Sequence, residues 1–267
     1  MQTTVDLQAA ARDIRAATIR CIGALGVGHI GGSMSICEAL SALYYGVMKT
    51  DAANPQWEER DYFVLSKGHA GPALYATLAL KGFFPMDTLD TLNVPGTMLP
   101  SHCDRLKTPG VDISAGSLGQ GIGVAVGLAL SFKLANKPNR VYCIVGDGES
   151  NEGSVWEAAM AAANFGLDNF TVLFDDNKLQ SDGFTADVMM LEPIVDKWAS
   201  FNFDAQRVPG HDANAIYAAL IAPSNGKPKA IILDTVKGKG WPPFEGVLAS
   251  HNSSVTPEQV QYALSLL

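Results

Sequence analysis

Two polar clusters stand at the ends of apolar runs. Residues 141–145 run into Gly146-Asp147-Gly148, and residues 170–174 run into Asp175-Asp176-Asn177. Short apolar runs bounded by Gly, Asp and Asn read as buried strands ending in turns. With one helix between them they form a parallel βαβ unit, which puts both tips on the same edge of the sheet. That edge is where an open α/β sheet takes its ligands. Asp147 and Asn177 bring two hard oxygen ligands to it. The helix between, read from about Ser154, aims free N–H groups and its positive dipole end into the same crevice. The combination suits a divalent cation carrying a diphosphate, since Mg²⁺ takes one or two carboxylates and fills its shell with ligand phosphates. Asp147 reads as the only carboxylate at that corner.

Imidazoles form the second group. His29 (VGHIGGS), His69 (LSKGHAGPAL), His102 (LPSHCDR) and His251 (LASHNSS) lie in glycine-, proline- or serine-rich turns rather than on helix faces. Turns on a rigid scaffold are where catalytic groups sit, and imidazole shuttles protons near neutral pH. His211, beside a helix cap at Asp212, reads as structural. Lys237 and Lys239 are within reach of a phosphate, but their KGKG setting reads first as a solvated turn.

The elements that must position these groups alternate. Strands are predicted at 62–65, 141–145, 170–174, 203–208 and 230–234. Helices are predicted at 4–25 (with Thr3 or Thr4 as cap), 35–48, 71–81, 118–134, 154–165, 193–200, 213–221 and 257–266. Residues 82–115 carry few regular signals. Alternation of this kind means an α/β fold with a mainly parallel sheet flanked by helices. The chain has 267 residues, 47% of them hydrophobic, enough for one large core. No repeat or linker interrupts it, so residues 1–267 read as a single domain. Gly119-Gln120-Gly121 follows no strand and fails as a dinucleotide fingerprint. A net charge of −8 leaves no basic excess for nonspecific nucleic-acid binding. Apolar stretches are too short or interrupted for a membrane span, and the first residues lack a signal-peptide pattern. Cys21, Cys37, Cys103 and Cys143 show no metal or CxxC spacing, which points to a reducing cytoplasm.

Taken together, these stretches resemble the transketolase family across nearly the whole chain. GDGESNEGSVWEAAMAAANFGLDNFTVLFDDNKLQSDG resembles the thiamine diphosphate signature in its transketolase form. GHIGGSMS, RDYFVLSKGHA and TPGVDISAGSLGQGIGVAVGLAL resemble three further family segments, in order. The resemblance implies a thiamine diphosphate-binding fold, specifically its diphosphate-binding domain. Asp147, the Asn177 side chain and the Leu179 carbonyl would hold Mg²⁺. His69, Gly148 and His251 would meet the diphosphate. Gly116 and Leu118 would line the aminopyrimidine. His29, His102 and His251 would handle sugar hydroxyls and proton transfers. Glu152 would join a cofactor network across a subunit interface. Two departures stand out. Ser181 occupies a position that is often apolar near the thiazolium ring. His102 lies between Ser101 and Cys103, where glycine and proline are usual.

The resemblance also implies what the chain lacks: the pyrimidine-binding domain, with the glutamate that activates the cofactor, and a C-terminal domain. It points to a split enzyme. A partner C-terminal subunit would complete an α2β2 heterotetramer, which moves a two-carbon ketol unit from a ketose, expected to be phosphorylated, to an aldose. The apolar helices at 118–134 and after Ser154 would be interfaces. Two rivals remain. The α subunit of a 2-oxo acid dehydrogenase shares GDG and the later Asn but does not need His29, His69 and His102. A non-catalytic cofactor-binding subunit needs few histidines of any kind.

Overall fold

A computed structural model describes residues 5–267. Short strands β1 (Val27–Gly28) and β7 (Ser253–Ser254) pair as an antiparallel ribbon. Between them in sequence lie β2 (Tyr62–Leu65), β3 (Val141–Gly146), β4 (Phe170–Asp176), β5 (Asp204–Pro209) and β6 (Lys229–Asp234). These five form an all-parallel sheet in the order β2-β3-β4-β6-β5. Gly146 pairs with Asp175, so the two polar tips are neighbours. The Asp147 N–H donates to the Asp175 carbonyl at 3.2 Å.

Side chains alternate between two cores. Tyr142, Ile144, Leu173, Ile231 and Leu233 pack on one face; Val141, Cys143, Val145, Phe170, Val172, Phe174 and Ile232 pack on the other. Both faces are covered, which is why the strands read as unbroken apolar runs instead of alternating. The first face carries α1 (Leu7–Leu25), α2 (Ile30–Met34), α3 (Cys37–Ser41), α4 (Gly71–Leu80), α9 (Ala213–Ile221) and α10 (Pro257–Leu264). The second carries α5 (Gln120–Leu134), α6 (Gly153–Asn164) and α8 (Ile194–Ser200), with the single turn α7 (Thr185–Val188) between α6 and α8 in sequence. Among the described residues no helix is long and apolar enough to cross a membrane.

Several boundaries differ from the sequence expectation for identifiable reasons. The first helix starts at Leu7, where the Asp6 carboxylate accepts from the Gln8 and Ala9 N–H groups at 3.0 Å. The expected caps Thr3 and Thr4 lie outside the described residues. The helix expected over 35–48 is broken. Residues 30–34 are already helical, Ile36 (φ −112°) interrupts, and α3 then passes into a π-helical turn over Ala42–Val47. The break lets the Ser35 hydroxyl reach the buried Asp175 carboxylate at 2.7 Å. The position of β6 between β4 and β5 carries no sequence signal.

The stretch 82–115 is one short helical turn, Met86–Thr91, in an otherwise irregular path. It is tied down at several points. Tyr75 Oη donates to the Pro100 carbonyl at 2.8 Å, the Ala115 N–H to the Cys103 carbonyl at 3.0 Å, and the Phe63 N–H to Asp112 Oδ2 at 2.8 Å. This scaffold carries His102 to the sheet edge. His211 serves the fold, as expected. Its Nδ1 faces Glu38 Oε2 at 3.2 Å, and its Nε2 accepts from the Val236 N–H at 2.8 Å. All four cysteines are free and buried.

Candidate active site

A cavity of about 310 Å³ opens at the C-terminal ends of β2, β3 and β4. Its wall includes His29, His69, His102 and His251. It also includes Asp147, Gly148, Asn177 and Leu179 from the strand tips, and Gly116 and Leu118 from the loop before α5. Of the cofactor, metal and catalytic residues expected from the sequence, Glu152 alone does not line it. Glu152 is exposed, at the N-terminus of α6. The helix end itself also departs from expectation. A helical turn over Gly148–Asn151 intervenes, and no residue of the first turn of α6 faces the cavity. Gly148 and Glu149 stand there instead.

Four segments bring the imidazoles together. The β1–β7 ribbon sets His29, just after β1, against His251, just before β7; their ring centroids are 5.5 Å apart. His29 is also 5.5 Å from His69 and 5.6 Å from His102, and His69 is 5.2 Å from His251. Glycine permits this approach. A Cβ on Gly32 would fall 2.9 Å from His69 Nε2, and one on Gly31 would fall 2.5 Å from Lys237 Cγ. Crowded imidazoles beside lysines disfavour protonation. Burial lowers the pKa of His29, and His102 and Lys237 add to the effect. Burial, then Lys67 and the neighbouring imidazoles, take His69 well below its usual value. Burial, then Lys237 and His29, bring His251 down to about 4.

The shift at His251 has a measurable consequence. The unfolded chain takes up the His251 proton near the ordinary value of 6.5, the folded chain only near 4. The associated stability is present above about pH 6.5 and is lost as pH falls toward 4. In His251→Asn the decline across that window should be shallower than in the wild type. Thermal unfolding of both proteins between about pH 7 and pH 4 checks this; parallel curves would remove His251 as the cause.

The acidic corner holds more charge than the sequence suggested. Asp147 is not its only carboxylate: Glu149 lines the cavity, and Asp175 lies behind it, wholly buried. Lys67, equally buried, donates through Nζ to Asp175 Oδ2 at 2.6 Å and to the Gly32 carbonyl at 2.7 Å. That pairing holds Asp175 below the usual carboxylate range against the opposing effect of burial. Asp147 has no such cation. Its carboxylate accepts from the Gly148 N–H at 2.7 Å and from Thr185 Oγ1 at 3.1 Å. Burial, then the charge of Asp175, push it up to about 7.

Lys237 corrects the reading of KGKG as a solvated turn. It is 2% exposed, and its Nζ donates to the carbonyls of Leu179 at 2.8 Å and Gln180 at 3.1 Å. It also faces His251 Nδ1 at 3.3 Å. Burial brings its pKa down to about 8. Lys239 does sit at the surface, paired with Glu245 at 2.8 Å. The turn folds inward because the Gly238 N–H donates to the Gly31 carbonyl at 3.0 Å and Gly238 has φ 78°. These contacts arise from tertiary structure and leave no local signal.

Lys67, Glu149 and Gln180 were not singled out in the sequence. Glu149 Oε1 accepts from Ser66 Oγ at 2.5 Å and the Gly119 N–H at 2.9 Å, and Oε2 accepts from the Gly146 N–H at 3.0 Å. It thereby ties the Gly116–Leu118 loop to the GDG turn. The available sequence signal was only an acid directly after GDG. Gln180 Nε2 is buried without a partner among the described residues, although Gln180 Oε1 accepts from Asn151. Ser181 is exposed at the cavity wall.

Comparison with known proteins fits this geometry. The family described as "Transketolase, thiamine diphosphate binding domain" matches residues 7–266. The chain is 53% identical over 265 residues to a 6-deoxy-6-sulfo-D-fructose transketolase subunit of a Clostridium species, covering 98% of this chain and 96% of that one. It is 39% identical over 239 residues to one subunit of the apulose-4-phosphate transketolase of Phocaeicola vulgatus, covering 89% and 85%. The crystal structure of transketolase from Campylobacter jejuni superposes with a TM-score of 0.91 at 31% identity, covering 97% of this chain and 42% of that one. The chain thus spans about two fifths of that solved enzyme and nearly all of the first relative. It belongs to the transketolase family, as one subunit of a thiamine diphosphate-dependent transketolase.

Proposed function

We propose that this chain is the cofactor-diphosphate and metal-holding subunit of a split transketolase, moving a two-carbon ketol unit from an acidic ketose to an aldose. One observation carries the reading: four imidazoles and a carboxylate–amide corner without an ion-pair partner share one cavity. The donor set fits a diphosphate with its cation. Gln180 Nε2 is an unpartnered buried donor and Lys237 a buried cation, both in the cavity wall. Asp147 lacks a positive partner and fits the metal. Among the described residues no three His, Cys, Asp or Glu side chains cluster to hold a metal unaided. Mg²⁺ would therefore take Asp147, Asn177 and the Leu179 carbonyl, with the diphosphate completing its shell.

When bound, thiamine diphosphate supplies the carbon nucleophile and electron sink that let the ketose carbon–carbon bond break. The rest falls to the chain. His69, Gly148, His251, Lys237 and Gln180 bind the diphosphate, and Gly116 and Leu118 line the aminopyrimidine. His29, His102 and His251 hold the sugar hydroxyls. An imidazole kept neutral can accept the proton from the hydroxyl next to the breaking bond and return it to the acceptor aldehyde. The relatives are named for 6-deoxy-6-sulfo-D-fructose and apulose 4-phosphate, two ketoses ending in an acidic group. A donor of that class is the reading for this chain.

A C-terminal subunit carrying the pyrimidine-binding domain is the proposed partner, in an α2β2 assembly. Val124 and Leu134 on α5, Met160 on α6 and Phe165 just after it are exposed apolar residues, and such faces on globular proteins mark contacts. Glu152 stands at the N-terminus of α6, close enough to Gly119 that a Cβ there would lie 2.7 Å from its own. Glu152→Gln should raise the cofactor concentration needed for half-maximal activity, or weaken assembly, with little change in thermal stability of the free subunit. Light scattering of mixed subunits and cofactor titration measure both. Residues 1–267 form one domain in this reading. Four free thiols suit a cytoplasmic setting.

The test is donor class. The assembled enzyme is offered ketoses ending in sulfonate or phosphate, and separately 2-oxo acids. The expected result is an aldose two carbons shorter than the ketose donor. Decarboxylation of a 2-oxo acid with no ketose turnover would overturn the proposal.

A further inference from the structure

The side-chain amide of Asn177 is held from behind. Its Nδ2 donates to Asp175 Oδ2 at 3.0 Å, and its Oδ1 accepts from the Leu179 N–H at 3.2 Å. A carboxylate only accepts and a backbone N–H only donates, so both contacts demand the same amide orientation. One lone pair of Oδ1 remains free, on a side chain that lines the cavity. Asp175 is itself fixed from three other elements. Ser35, just after α2, donates at 2.7 Å, Lys67, just after β2, at 2.6 Å, and Thr235, just after β6, at 2.5 Å. Four donors thus saturate one wholly buried carboxylate.

We propose that Asp175 is the positioning residue of the metal corner: it locks the Asn177 amide so that Oδ1, not Nδ2, is presented to a divalent cation. Asp175 does not itself line the cavity. Its effect passes through Asn177, the arrangement by which outer residues orient metal ligands. The same hub joins the corner to the segment bearing His29. Ser35 and the Gly32 carbonyl, which accepts from Lys67, both lie in or beside the helical turn that follows His29. The proposal rests on the reading of Asp147 and Asn177 as metal ligands.

The experiment measures Mn²⁺ affinity of the assembled enzyme by electron paramagnetic resonance with thiamine diphosphate present, for wild type, Asp147→Ala and Asp175→Asn. Asp175→Asn is expected to weaken Mn²⁺ binding by about 10–100-fold. Its kcat should return close to wild type at saturating metal, because the reacting groups are untouched. Removing one member of a buried ion pair threatens the fold. The double variant Lys67→Met with Asp175→Ala removes the charges together without overfilling the core and still leaves Asn177 unanchored. It should show the same loss of Mn²⁺ affinity. Unchanged affinity in folded Asp175 variants, with Asp147→Ala defective, would overturn the positioning role. Unchanged affinity in Asp147→Ala as well would overturn the underlying metal reading. Weaker affinity with kcat that does not recover at saturating metal would also count against it, showing general damage to the site.

Discussion

Asp147→Ala is expected to abolish Mg²⁺-dependent binding of thiamine diphosphate by the assembled enzyme. The loss should exceed the roughly 10–100-fold typical of an outer ligand-orienting residue. Among the described residues at this corner, Asp147 is the one carboxylate with neither an ion pair nor a full set of donors. Glu149 is saturated by Ser66, Gly119 and Gly146, and Asp175 by Lys67 and three further donors. Without Asp147 a diphosphate would bring its charge to a corner that no longer holds the neutralising cation. The fold should survive, because a buried carboxylate without a cation is unfavourable to begin with. Titration calorimetry reads the affinity. Thermal unfolding gives the control: cofactor and Mg²⁺ should raise the melting temperature of the wild type and leave that of the variant unmoved. Equal affinity in the two proteins would remove Asp147 from the metal site.

The second large effect concerns the partner. The purified chain should show no ketol transfer, and a C-terminal subunit should restore it, with activity saturating at one partner per chain. In the proposed split enzyme the activating glutamate would lie on that partner, and the cavity wall offers no uncommitted glutamate among the described residues. Glu149, the only glutamate among them in the cavity wall, has its oxygens committed to three donors. Glu152 lies outside that wall. Robust turnover by the chain alone would refute the split reading.

The two strand tips were legible because residue type, strand length and turn chemistry agree there. Asp147 and Asn177 follow uninterrupted apolar runs, and a parallel pairing places them side by side with no further information needed. The histidines were legible as turn residues, but their convergence was not. It depends on the β1–β7 ribbon, whose two-residue strands are too short to show any periodicity. Lys237 misled for a physical reason. Lysine between glycines signals solvent, and only the backbone bond from Gly238 to Gly31, far away in sequence, turns it inward. Lys67 and Asp175 stayed hidden because burial of a charge is recognisable only once its counter-charge is in place. The break at Ile36 was missed because the contact it permits, Ser35 on the Asp175 carboxylate, lies on another element. The order of the sheet beyond β4 was likewise set by packing rather than by local pattern.

The Asp175 hub also bears on the time at which the site comes into being. Its donors are separated from it by 140 residues at Ser35, 108 at Lys67 and 60 at Thr235. Contacts this distant must wait until the long loops between them have closed, which slows folding and postpones their reward. Thr235 follows Asp175 in synthesis, so a ribosome-bound chain ending before β6 holds an incomplete hub. Because β6 also lies between β4 and β5, the sheet and the hub are completed together, once β6 and Thr235 are in place. Partner recruitment before that point would join a chain whose sheet and cofactor corner are both unfinished.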